Sequence, residues 1–128
     1  MRRVFVDTSA LIALLDRADY ERQLGVDPVP AAREAEAVFG QALERLPARP
    51  SIRWNLADLH LLLAGVELDR GRDPEDRLRR AAEAIAAAEA LDKTDGRGLP
   101  RRDKIRALRV RWQARGSGAA ARDARSSP

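Results

Sequence analysis

The sequence predicts a mainly α protein, built as helical hairpins or a bundle, with one short N-terminal strand and a flexible C-terminal tail. Three observations carry that expectation. Aromatic residues make up 4% of the 128 residues and charged residues 34%, so bulky strand formers are scarce while Ala, Leu, Arg and Glu, good helix formers, abound. Apolar residues recur at steps of three and four, the spacing that lines one helix face. Turns rich in Gly and Pro around Gly25–Pro30, Pro47–Pro50, Gly71–Pro74 and Asp95–Pro100 divide these stretches.

In order, Val4-Phe5-Val6 is a β-prone run ending at Asp7. A helix follows from Thr8-Ser9 with Leu11, Leu14, Leu15 and Ala18 on one face, and Asp7, Thr8 or Ser9 available as its cap. Gly25, Pro28 and Pro30 mark a loop. From residue 31, Ala35, Val38, Phe39, Ala42 and Leu46 form a stripe that Pro47 and Pro50 terminate. The next helix runs from about Ser51 to Arg70, burying Ile52, Leu56, Leu59, Leu63 and Val66, and Gly71 closes it by taking positive φ at low cost. Asp73-Pro74-Glu75-Asp76 restarts the helix: Asp73 caps, Pro74 needs no N–H donor partner, and two acids suit the positive end of the dipole. Leu78, Ala81, Ala82, Ile85, Ala88 and Leu91 make the next stripe. A last helix from about Asp103 to Gln113 presents Ile105, Leu108 and Trp112. Beyond Arg115, Gly, Ser and Ala dominate and packing groups are few, which predicts disorder. The expected organisation is an opening at residues 1–20, a helical body at 31–113 and a tail at 114–128. A shift of 45 residues pairs Ala37 with Ala82, Ala42 with Ala87, Glu44 with Glu89 and Leu46 with Leu91, a faint internal repeat.

Composition also excludes some functions. With no cysteine, there is neither a disulfide scaffold nor a thiolate metal site. The longest apolar run, Leu61–Val66, falls far short of the roughly 20 residues a membrane span needs, so no membrane role is expected. The start lacks a secretory cleavage pattern, and Asp7 and Asp16 flank its apolar stretch, so a cytoplasmic location is expected. The net charge of +4 is uneven: residues 96–128 hold ten basic and two acidic side chains, whereas residues 31–95 are net acidic. Within that basic arm Arg102, Arg106 and Arg109 share a helix face opposite Ile105, Leu108 and Trp112. They are candidates for nonspecific, salt-sensitive phosphate binding. The same face could instead stay solvated, or lie on the acidic helix bearing Glu75, Asp76 and Glu83. His60 stands alone, without Cys or a second His to complete a zinc site, and reads as a half-buried packing residue. Trp54 and Trp112 are partner-binding candidates, although their stripe positions also suit packing.

The segment VFVDTSALIALLDRAD, residues 4–19, closely resembles the opening of PIN-domain proteins, whose small VapC-like members are toxins that act as metal-dependent ribonucleases. The resemblance implies that Asp7 is a catalytic, metal-binding carboxylate for Mg²⁺ or Mn²⁺, with Thr8 and Ser9 shaping the turn. A hard cation prefers oxygen ligands and offsets charge during phosphodiester hydrolysis. It covers 16 residues, and no later strand that would bring further carboxylates beside Asp7 is evident.

Residues 51–95 resemble a tetratricopeptide-type unit. Trp54-Asn55-Leu56-Ala57 is similar to the start of that unit's first helix, and Ala88-Glu89-Ala90-Leu91-Asp92-Lys93 to the close of its second, with Lys93 where the family has Pro. Residues 31–50 and 103–113 would supply flanking helices, although the elements exceed the 34-residue repeat. The resemblance implies stacked hairpins with a partner-binding face. The expected function is therefore noncatalytic binding of an unidentified protein partner, without a cofactor, in a toxin–antitoxin context suggested by the opening. The alternative is a divergent PIN-like, magnesium-dependent ribonuclease using Asp7.

Overall fold

A computed structural model describes residues 8–93 and 96–126, with side chains described within residues 12–116. Five helices follow in order: α1 Thr8–Gln23, α2 Val29–Arg45, α3 Pro50–Asp69, α4 Glu75–Leu91 and α5 Gly98–Ser126. The expected strand at Val4–Val6 and the carboxylate of Asp7 lie outside the described residues. Among the described residues there is no strand.

Two of the connections share one construction. After α1, Gly25 takes φ +75°, and the Val26 N–H donates to the Glu21 carbonyl at 2.9 Å. After α3, Gly71 takes φ +71°, and the Arg72 N–H donates to the Glu67 carbonyl at 2.8 Å. Each is a left-handed glycine closing a helix by returning hydrogen bonds to its last carbonyls. The chain then restarts through Asp27-Pro28 and Asp73-Pro74. The Asp27 carboxylate accepts the Val29 N–H at 3.1 Å, and that of Asp73 accepts the Glu75 N–H at 2.9 Å. Pro28 and Pro74 carry helical dihedrals and give their carbonyls to Ala32 and Leu78. The expected cap at Asp73 is thus present, one residue further from the helix than a standard N-cap.

These matched turns place equivalent residues 46 apart, which corrects the 45-residue shift. Buried Ala32, Ala35, Phe39 and Ala42 of α2 correspond to buried Leu78, Ala81, Ile85 and Ala88 of α4. Under the 45-residue pairing, buried Ala42 would match partly exposed Ala87. Burial follows the facing helix and not residue identity, so the 45-residue match of alanines is coincidental.

Packing is likewise serial. α1 packs on α2, and α3 packs on both of them; α3 also packs on α4, and α5 packs on α3 and α4. Two cores result. Ala18, Ala32, Ala35, Phe39, Ala42, Ile52, Leu59, Leu62 and Leu63 join α1, α2 and α3. Trp54, Ala57, Leu61, Ala64, Leu68, Leu78, Ala81, Ile85, Ile105 and Leu108 join α3, α4 and α5. Alanines at the contacts let backbones approach closely, while the larger side chains supply about 1.5–3 kcal/mol each on full burial. α3 carries two apolar stripes where one was expected, because it is sandwiched between hairpins. Leu46 and Leu91, at the ends of α2 and α4, are exposed; each lies at or past the last turn, beyond the facing helix.

The C-terminal element departs most from expectation. α5 begins at Gly98, and its backbone is helical through Ser126, across the segment expected to be a disordered tail. Ala and Arg are strong helix formers, and extending an existing helix avoids a new nucleus. No helix among the described residues is long and apolar enough to cross a membrane.

Candidate functional site

α1, α3 and α5 lie side by side, and a cleft of ≈ 270 Å³ opens where they meet. Its lining is three helical stripes: Leu15, Asp16, Asp19 and Arg22 from α1; Asp58, Leu61, Leu62 and Gly65 from α3; and Lys104, Leu108 and Arg111 from α5. Each set follows the three- and four-residue spacing of one face. The floor is apolar, made by Leu61, Leu62 and Leu108, all nearly buried.

The polar groups divide into paired and unpaired ones. Asp58 is held bidentately by Arg101, with Nε–Oδ1 at 2.8 Å and Nη2–Oδ2 at 2.9 Å. The same guanidinium lies over the Trp54 ring at 5.0 Å from its centroid, an attractive cation–π geometry. Arg22 reaches across α3 to Asp69 at 2.9 Å. It passes so close to Gly65 that a Cβ there would sit 2.7 Å from Nη2, so glycine leaves room for the guanidinium. Asp16 and Asp19 on the α1 rim, and Lys104 and Arg111 on the α5 rim, make no ion pair with another described residue. Asp19 accepts a neutral hydrogen bond from the Gln23 amide at 3.0 Å. The groove therefore has an acidic rim and a basic rim over an apolar floor.

The residues singled out from the sequence fall elsewhere. Trp54, a partner-binding candidate, is 2% exposed and belongs to the α3–α4–α5 core. Helix α5 covers it, which its position on α3 alone could not reveal. Trp112 is partly buried against the same core. Arg102 and Arg109 turn to α4. Arg102 pairs with Glu89, one bond being 2.7 Å, and Arg109 holds Glu75 at 2.6 and 3.0 Å. These bonds hold both carboxyls below the usual range and raise both guanidinium groups. Arg106, largely exposed, lies 3.6 Å from Asp103. Of the three fates open to the basic face, contact with an acidic helix describes Arg102 and Arg109. Asp7 lies outside the described residues.

His60 is more buried than expected, at 6% exposure. Its Nδ1 accepts from Arg77 at 3.3 Å, and Arg77 also binds Glu36 at 3.0 Å. Burial, followed by the Arg77 charge, lowers its pKa to about 4, so near neutrality the ring is uncharged and its proton sits on Nε2. This cluster ties α2, α3 and α4 together on the side away from the groove. Among the described residues no group of three or more His, Cys, Asp or Glu side chains is arranged to hold a metal ion.

The groove residues carry a sequence signal of their own. Asp16, Asp19 and Arg22 follow a helical stripe, as do Lys104 and Arg111, but nothing local indicates that these stripes converge. No protein-family model matches the chain, no curated protein matches its sequence, and no solved structure matches it.

Proposed function

We propose that the protein is a noncatalytic binding module of helical-repeat type, akin to tetratricopeptide arrays, that docks a peptide segment of a protein partner in the α1–α3–α5 groove. The observation that carries this reading is the groove itself, where an apolar floor lies between rims of unpaired charge. Its volume of ≈ 270 Å³ falls below the roughly 300–1,000 Å³ of pockets that enclose small molecules, yet accommodates a few side chains of a longer ligand. The serial packing and the 46-residue recurrence further support it. The first helices of successive hairpins line one face, as stacked repeats do, although each unit is longer than a 34-residue tetratricopeptide.

The test begins with selection from a phage-displayed library of random 12-residue peptides. The enriched peptides are then titrated into ¹⁵N-labelled protein. Chemical-shift changes concentrated on Leu15–Arg22, Asp58–Gly65 and Lys104–Arg111 are expected. Failure to enrich any peptide, or shifts confined to α2 and α4, would overturn the proposal. A ribonuclease built on Asp7 would replace it if the purified protein cut RNA with Mg²⁺ or Mn²⁺ and Asp7→Ala abolished cutting.

A further inference from the structure

We infer that the groove selects a segment of mixed charge: a basic residue of the partner meets Asp16 and Asp19, an acidic residue meets Lys104 and Arg111, and apolar side chains between them rest on Leu61, Leu62 and Leu108. The inference rests on the peptide-docking reading and adds the chemistry of the ligand.

Charge pairing within the groove is incomplete. Of its six charged side chains, Asp58 is neutralised by Arg101, which holds it bidentately from α5, and Arg22 is neutralised by Asp69. The remaining two negative and two positive charges are exposed on opposite rims, and no ion pair joins these rims among the described residues. Elsewhere on the surface the arginines of this chain readily find carboxylates: Arg70 with Asp27, Arg77 with Glu36, Arg109 with Glu75. On the groove's rims two cations and two carboxylates instead stay apart across the apolar floor. A ligand bearing only positive charge would satisfy α1 and be repelled at α5, and an acidic ligand would meet the reverse. Like charges brought together are disfavoured and opposite ones favoured, so charge arrangement sets specificity more than total affinity.

Specificity can be reversed at either rim with exposed side chains. The same displayed library is selected in parallel on wild type, on Lys104→Glu/Arg111→Glu and on Asp16→Lys/Asp19→Lys, each checked for helicity by circular dichroism. Wild type is expected to enrich peptides carrying both signs around an apolar pair. The first variant, with two acidic rims, should enrich basic peptides, and the second acidic ones. A synthetic wild-type-selected peptide should bind either variant at least tenfold more weakly by fluorescence anisotropy. If peptides are enriched and map to the groove but their charge is the same for all three proteins, the mixed-charge inference fails while the docking reading stands. If no peptide is enriched on wild type, both fall. The two variants act on different helices, so loss of folding in one leaves the other to decide.

Discussion

His60 is a residue whose chemistry is set by its neighbours. Its pKa falls from 6.5 to about 4 on folding, so between these values the unfolded chain binds a proton that the folded chain does not. Stability therefore decreases as pH drops from about 6.5 towards 4 and this contribution levels off below; above 6.5 it is fully present. The full effect is on the order of 3 kcal/mol. Urea unfolding at pH 7 and pH 4.5 should show most of that difference in wild type. His60→Gln, which keeps an acceptor for Arg77, should lose this part of the slope; an unchanged slope would assign it to carboxylates. Trp54 makes a second case. It is almost fully buried, yet its Nε1 has no hydrogen-bond partner among the described residues. Trp54→Ala is expected to cost about 3–5 kcal/mol through the cavity it leaves. Trp54→Phe should cost only about 1 kcal/mol, because no indole hydrogen bond is lost, and chemical denaturation of both variants checks the contrast.

At the scale of the element, glycines act with opposite signs according to backbone. Gly71 ends α3 at φ +71°, where any L side chain is strained, so Gly71→Ala should destabilise by about 1–2 kcal/mol. Gly40 lies within α2, and a Cβ there would meet nothing within 4 Å. Gly40→Ala should stabilise by about 0.8–1 kcal/mol. Thermal melts that moved both variants in one direction would contradict the two assignments. The α4–α5 pair offers a further prediction. Because Glu75 and Glu89 occupy Arg109 and Arg102, Glu75→Gln/Glu89→Gln should release two guanidinium groups. Binding of a labelled 20-nucleotide RNA at low salt should rise several-fold, with a steeper loss on adding salt. Unchanged binding would mean that the arginines stay unavailable to phosphate even without those carboxylates.

Over the whole molecule, serial packing separates what is local in the sequence from what is not. Five helices and their limits near Gly25, Pro47 and Gly71 were legible because periodicity and punctuation are local, whereas the last helix starts at Gly98, five residues before the expected Asp103. The helix of the expected opening, α1, packs on both α2 and α3. The second apolar stripe of α3, with Trp54, Ala57, Leu61, Ala64 and Leu68, was visible only once α4 and α5 were in place. The groove was hidden for the same reason: Asp16 and Lys104 are 88 residues apart in sequence, and each reads alone as a solvated charge on a helix face.

Local patterns along the chain specify that it is helical, where most of its helices begin and end, and which faces are apolar. Those properties follow from backbone preferences and side-chain spacing within a few turns. Tertiary structure decided what each face meets. It put Trp54 inside, turned Arg102 and Arg109 onto α4, buried His60 beside Arg77 and set an acidic rim opposite a basic one. Burial and charge pairing depend on the distance to residues remote in sequence, and only packing between helices fixes that distance.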